Sequence, residues 1–320
     1  MTGKQGGFSL IELMIASTLA LLLLALMLTA FSSLSAASTQ SRQLAFLQQN
    51  GQLVLNLLYN EFENSGFWAG QSLAQVRQSS SQAAPPAADC RLPGMTHGSF
   101  PLATEPFLTL YAAAAGSSGQ LSCLSNLANG TEFIQLKRTL GLAVTPDEMR
   151  ANRYYFWPQW QQAQFVDRDS AIPAQTLLFP YQHLVLYIQW QQHSTGSIPV
   201  LMRKRLVRSA GGQASISTDS VVDGVERLHF EFLLDLDQDG QPDAIVPTAD
   251  MTSGYWLQQE ARILGIRFFV LLRALEPDRR YQNQRLYQLG SQQFAAPGDH
   301  YRRLLLSGAV NFSFASTAEE

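Results

Sequence analysis

The chain has 320 residues, 46% hydrophobic and 15% charged, with a net charge of −3. That length holds one average domain plus a long helix, and the apolar fraction is ample for a sizeable core. The slightly acidic balance gives no basic face of the kind a nucleic-acid binder needs, so no nucleic-acid partner is expected.

Residues 13–31 (LMIASTLALLLLALMLTAF) contain no charge, no Pro and no Gly. As a helix they span roughly 28 Å, close to the hydrocarbon thickness of a bilayer, and read as a transmembrane segment. Two features separate them from a secretory signal, whose apolar core is short and is followed by its cleavage site. The run is too long, and the Gly6-Gly7 pair stands before it, behind a polar leader carrying Lys4. Glu12 stands at the mouth of the run, where an acid well inside the bilayer would cost roughly 2.5–3.5 kcal/mol. Two readings stand for it: an interfacial acid that suits the helix dipole, or a carboxylate with a partner.

The stretch Gly7-Phe8-Ser9-Leu10-Ile11-Glu12-Leu13-Met14 resembles the class III signal of type IV pilins and type II secretion pseudopilins. The resemblance implies cleavage between Gly7 and Phe8 by a membrane-bound prepilin peptidase and N-methylation of the new amino terminus on Phe8. It also implies that Glu12 pairs with the N-terminal amine of a neighbouring subunit. The expected organisation is a leader (1–7), an N-terminal helix (8–65) with its transmembrane part at 13–31, and a periplasmic β-rich domain (66–320). The span lacks the helix-breaking Pro of many major pilins.

Past the span, Leu44, Leu47, Val54, Leu55, Leu58 and Phe62 recur at helical spacing and form a core-facing stripe. Gly51 interrupts it at a cost of about 1 kcal/mol relative to Ala and predicts a local loosening. The helix should end at Asn64-Ser65-Gly66, with Gly66 as the C-terminal cap. Residues 78–89 are low in complexity (QSSSQAAPPAAD) and predict an irregular, mobile loop. Cys90 and Cys123 lie 33 positions apart. In an oxidising compartment they would form a disulfide stabilising by roughly 3–4 kcal/mol on the chain-entropy model; the other reading is two unrelated buried thiols. The spacing does not suit zinc.

The remainder reads as strands at 107–111, 132–138, 153–157, 183–191, 200–207, 226–234, 263–272 and 304–314, rich in β-branched and aromatic residues. Strands after one helix imply an α+β fold, an antiparallel sheet packed on the helix's second half. Three segments look like the PilW subgroup of minor pilins. They are the helix exit Tyr59-Asn60-Glu61-Phe62-Glu63-Asn64-Ser65-Gly66-Phe67-Trp68 and two strands, Val225-Glu226-Arg227-Leu228-His229-Phe230-Glu231-Phe232 and Ile266-Arg267-Phe268-Phe269-Val270-Leu271-Leu272-Arg273. The resemblance is loose over 71–182.

One constellation has metal-ligand spacing: Asp235-Leu236-Asp237-Gln238-Asp239-Gly240-Gln241-Pro242-Asp243. Acids at loop positions one, three, five and nine, Gly at six and the Gln241 carbonyl at seven match most of a calcium loop. Val246 replaces the bidentate Glu, so a calcium-holding hairpin turn is the sharper expectation and a solvated acidic turn the plainer one. Arg203, Lys204, Arg205 and Arg208 read as a solvated strand or rim, with a DNA or lipid-headgroup contact as the other reading. The five histidines show no ligand spacing, and no catalytic motif occurs, so no enzyme is expected. The resemblance implies a minor pilin that packs with other minor pilins and the major pilin near the pilus tip, with a tip adhesin as a further partner. The alternatives are a J-class pseudopilin of type II secretion and a membrane-anchored periplasmic calcium-dependent binding domain or enzyme.

Overall fold

The computed structural model describes residues 7, 9–95, 98–101, 106–160, 162–193 and 196–312. Lys4, Phe8, His97 and the last two residues of the strand expected at 304–314 lie outside them. The described chain forms a long helix and a β-rich body, the α+β architecture expected from the sequence, and divides into two compact units, Met1–Phe46 and Leu47–Glu320.

Helix α1 (Leu10–Glu63) has 54 residues, about 81 Å of rise. In the first unit every residue from 9 to 35 is exposed. The polar side chains of the span satisfy themselves: the hydroxyls of Ser17, Thr18 and Thr29 donate to the carbonyls of Met14, Ile15 and Leu26 at 2.8–2.9 Å. No hydroxyl of these three is therefore left without a partner in lipid, where an unsatisfied polar group costs several kcal/mol.

In the second unit Leu47, Val54, Leu58 and Phe62 are buried, the stripe expected from their spacing. Leu44, placed on the same stripe, belongs to the first unit and is exposed. Gly66 follows the helix with φ +86°, as its cap role requires.

After α1 come α2 (Leu73–Arg77), β1 (Ser80–Ser81), β2 (Leu110–Ala114), β3 (Glu132–Thr139), β4 (Tyr154–Trp157), β5 (Gln164–Val166), β6 (Phe179–His193), β7 (Gly196–Arg208) and β8 (Ala214–Asp223). Then follow β9 (Val225–Asp235), β10 (Ala244–Pro247), α3 (Ser253–Trp256), β11 (Arg262–Arg273), β12 (Leu286–Leu289), β13 (Gln292–Ala295) and β14 (Arg303–Asn311). They form three sheets, where the sequence suggested one. The eight-stranded sheet runs β1-β5-β4-β6-β3-β2, with β7 and β8 continuing from β6. The four-stranded sheet runs β10-β9-β11-β14, and β12 pairs with β13 alone. All pairs are antiparallel except β1 with β5.

The low-complexity segment is less irregular than expected. The Ser80 and Gln82 amides donate to the carbonyls of Ala163 and Phe165, both at 3.0 Å, and Pro86 and Asp89 are buried. Backbone pairing of this kind leaves no hydrophobic periodicity to read. Strand β2 starts three residues later than expected because Phe107 leaves the strand for an aromatic cluster with Trp68 and Phe165.

Helix α1 packs on the four-stranded sheet through Tyr59 and Phe62, whose rings meet Phe268 at 5.3 and 5.4 Å. Two glycines permit that approach. Gly51 does not loosen the helix, which runs through it; a Cβ there would fall 2.6 Å from Leu306 Cδ1. On β14, a Cβ at Gly308 would fall 2.4 Å from Phe268 Cζ and 2.6 Å from the Tyr59 hydroxyl. The two positions should therefore respond differently to Ala. The Leu306 methyl can move and Gly51→Ala gains about 1 kcal/mol of helix propensity, so that variant should be near neutral. Gly308→Ala forces two packed rings apart and should cost about 1–3 kcal/mol. Urea unfolding midpoints of the two variants check this; equal midpoints, or the reverse order, would contradict it.

Candidate functional site

Ser9 opens α1: its carbonyl accepts the Leu13 N–H at 3.1 Å, and the Glu12 carboxylate accepts the Ser9 N–H at 3.0 Å. This is one half of a capping box, an acid at the third helical position satisfying the N-cap amide. The interfacial reading thus describes the contact of Glu12 inside this chain. A carboxylate has about four acceptor sites, and Ser9 supplies its one donor among the described residues. Gly7 is exposed and a Cβ on it would meet nothing within 4 Å, so the packing of this chain does not call for glycine there. Phe8 lies outside the described residues.

Cys90 and Cys123 are joined in a disulfide. The same two segments are laced by Ser122, whose amide donates to the Arg91 carbonyl and whose hydroxyl donates to the Asp89 carbonyl, both at 2.8 Å. Beside the disulfide runs a buried relay that the sequence did not announce. The Gln135 amide meets His183 Nε2 at 2.8 Å, His183 Nδ1 meets Ser99 Oγ at 3.0 Å, and the Ser99 hydroxyl donates to Asp89 at 2.7 Å. These directions require a neutral imidazole carrying its proton on Nδ1. Burial and the nearby Lys137 both hold the His183 pKa well below the ordinary value. Ser99 spends its proton on Asp89 and is fully buried, so this Asp, Ser and His set is ordered as a structural relay and not as a nucleophile with its base.

The Asp-rich segment forms the turn between β9 and β10. Asp235, Asp237 and Asp239 each place an oxygen within 4.8 Å of the others. Asp235 is buried and accepts the amides of Gln238 and Gly240 at 2.7 and 3.0 Å. Asp239 accepts the Gln241 amide at 2.7 Å, and Asp243 accepts the Leu236 amide at 2.7 Å from the far side of the turn. The structure thus brings Asp235, Asp237 and Asp239 of the five expected ligands together, while Asp235, Asp239 and Asp243 also accept amides of the turn itself.

The arginines of β7 are matched by an acid of β8 and by acids of the loop after β5. Arg203 and Arg205 share Asp219, at 3.6 and 2.8 Å, and Arg208 meets Asp167 at 3.0 Å and Asp169. Two further buried polar sets escaped sequence reading because glutamates on helices and strands read as solvent-facing. Glu61 of α1 pairs with Arg138 of β3, which also donates to Gln182 at 3.0 Å. Glu132 of β3 takes His229 Nδ1 at 2.8 Å, the Phe230 amide at 2.9 Å and the Thr248 hydroxyl at 2.7 Å, tying the two large sheets together.

Residues 185–313 match the family model described as Type IV Pilus-assembly protein W. Residues 2–28 match the model described as Prokaryotic N-terminal methylation motif. No curated protein and no solved structure matches the chain. The first match takes in β7 to β14, including the two strand segments singled out from sequence and the Asp-rich turn; the second takes in Gly7, Phe8 and Glu12.

The relay region generates a pH-dependent stability. Burial pushes Lys137 down to about 7, against the pull of Asp89, from an ordinary value of 10.5. Between those values the unfolded chain holds a proton that the folded chain has released, so stability rises with pH across that window. Below pH 7 both states are protonated and the burial penalty is fully present. Urea midpoints of the full chain in detergent should therefore climb from pH 7 to 9, and Lys137→Met should flatten the climb. An unchanged slope in the variant would show that Lys137 does not carry it.

Proposed function

Two family matches make the chain a class III prepilin of the PilW type, and on that premise we propose that it takes part in type IV pilus assembly and initiation by packing with other minor pilins near the pilus tip. As a prepilin it is anchored in the inner membrane, carries a periplasmic domain and later enters the pilus. A family of this kind points to structural work in place of turnover. The observation that carries the proposal is the first unit: an apolar helix with every side chain from 9 to 35 exposed needs a surrounding that the described residues do not supply. A bilayer supplies it first, and the helices of other pilin subunits supply it in the fibre.

Glu12 supports the same reading. Inside apolar surroundings a single Ser9 amide leaves most of the carboxylate unserved, and a cationic N-terminal amine on a neighbouring subunit would complete it. Prepilin peptidase would act between Gly7 and Phe8, the major pilin would extend the fibre, and a tip adhesin is the partner that a minor subunit at the tip would carry. The match over residues 185–313 favours the pilus over the J-class pseudopilin alternative.

We further propose that the β9–β10 turn takes a calcium ion. The clustering of Asp235, Asp237 and Asp239 supports this, since their mutual repulsion is relieved by a divalent cation.

Gly7→Val should leave the leader uncleaved. Glu12→Ala should still be cleaved and membrane-bound, yet restore few pili in a strain lacking the gene, counted by electron microscopy; full restoration would contradict the intersubunit pairing. For calcium, affinity should fall near 10⁻⁴–10⁻³ M, as in extracellular modules. A hundredfold excess over Kd should then stabilise the fold by about 2.7 kcal/mol, an increment that Asp237→Ala removes. An equal unfolding midpoint in EDTA and in calcium would leave the turn as its own hydrogen bonds describe it.

A further inference from the structure

The outermost strands of each sheet pair on one side only. A free row of N–H and C=O groups is a template for another strand unless charge, Pro, a bulge or shortness spoils it. Most edges of this body are spoiled. Strands β1, β2, β10, β12 and β13 run for two to five residues, and β10 ends in Pro247. Strand β8 is longer but carries Asp219 and Asp223 and a register shift against Leu201 and Met202 of β7. Strand β14 has none of these devices. It pairs with β11 from Arg303 to Asn311 without a break, and residues 304–310 (LLLSGAV) hold no charge and no Pro.

Its outer row can be assigned residue by residue. The Phe312 N–H donates to the Leu264 carbonyl at 2.7 Å, and the Ala274 N–H to the Arg302 carbonyl at 2.8 Å. Antiparallel ladders alternate, so the even-numbered residues of β14 bond β11 while the backbone groups of Leu305, Ser307, Ala309 and Asn311 point away. No hydrogen bond among the described residues engages those groups, and Ser307, Ala309 and Asn311 are exposed. Each offers an N–H and a C=O, repeated about every 6.8 Å, the spacing that an extended peptide matches. Leu304 and Leu306 lie toward Gly51 of α1 and Leu305 toward the β12–β13 hairpin, yet all three stay only half-buried.

The edge also has a direction. Leu304 and Leu306 stand by Gly51, Gly308 stands by Tyr59, and Phe312 lines a cavity with Ser65 and Gly66, so β14 runs alongside α1 in the same sense. A second copy laying its own β14 antiparallel on this edge would reverse its α1. Two chains anchored in one membrane through that helix cannot pair so.

We propose that the outer edge of β14 receives an extended, uncharged strand of another pilus subunit, laid antiparallel to it. Small side chains of that strand lie opposite the leucines, and larger ones lie opposite Gly308 and Ala309. The free backbone groups call for an extended chain, the neutral stretch 304–310 for an uncharged one, and the sense of α1 for a chain other than a second copy. The inference rests on the assembly reading for the source of the strand.

The test is fluorescence anisotropy of dye-labelled peptides with the full chain in detergent micelles, against chain-free micelles as the blank. The probe is RLLLSGAVN, a copy of residues 303–311 that as a free peptide has no helix to orient. Laid antiparallel about Ser307, it sets Val, Ala and Gly opposite Leu304, Leu305 and Leu306 and turns its third, fifth and seventh amides toward the edge. Two equally apolar copies are N-methylated, one on those three amides and the other on the second, fourth and eighth. The first should bind about tenfold more weakly than the parent, a difference of about 1.4 kcal/mol, and the second should match the parent. Ser307→Pro in the chain removes one outward N–H, leaves the β11 ladder intact and should weaken parent binding by a similar factor. If that chain does not fold, Ala309→Lys, which sets a charge opposite a leucine, takes its place. No binding above the blank, equal binding of the two methylated copies, or binding indifferent to the chain variant would overturn the edge site. In a strain lacking the gene, the same variant should be cleaved yet restore few pili, and full restoration would overturn the assignment of the strand to a pilus subunit. The peptide result requires neither processing nor assembly, so it stands or fails apart from the pilus reading.

Discussion

A helix cannot leave a continuous apolar surface in water, and α1 meets that constraint in two ways along its length. From Leu47 to Phe62 its stripe is buried within its own chain, each large side chain contributing about 1.5–3 kcal/mol. Over residues 9–35 no described residue covers it. The first half therefore requires lipid or other helices, and the second half gives the β-rich body its spine. The capping contact of Glu12 with Ser9 and the self-satisfied hydroxyls of Ser17, Thr18 and Thr29 leave the span ready for an apolar medium. What such a medium cannot serve is the remaining acceptor capacity of Glu12.

The β-rich body depends on buried charge to fix its sheets against one another and against the helix. Glu61 with Arg138 joins α1 to β3, and Glu132 collects a histidine, an amide and a hydroxyl from the neighbouring sheet. Such sets add little net stability over apolar packing, but removing one partner strands the other and typically costs 3–5 kcal/mol. Their value lies in geometry: a glutamate with three hydrogen bonds from the neighbouring sheet's segments admits one arrangement of the strands around it.

Much of this was legible in the sequence, and the failures have physical causes. Leu47, Val54, Leu58 and Phe62 announced themselves by helical spacing, and most strands by β-branched and aromatic runs. The Asp-rich segment was legible as a turn because Asp and Gly favour turns. Gly51 was misread because its meaning depends on Leu306, a contact between elements far apart in the chain. Strand β8, ASISTDSVVD, hid because its polar residues are held by pairing with β7 and not by burial. Strands β1 and β5 are too short for periodicity to register. The Glu132 and His183 sets have no local signature at all, since each is assembled from segments that meet only in the fold.

The central claim is that the exposed apolar helix is an assembly element, first held in the membrane and then buried among other subunits. Mass spectrometry of this chain recovered from sheared, purified pili tests it most directly. The account predicts a low-abundance mature chain that begins at N-methylated Phe8. Recovery of filament-borne chain still carrying residues 1–7, or its complete absence from abundant pili while the processed form stays in the membrane, would contradict it.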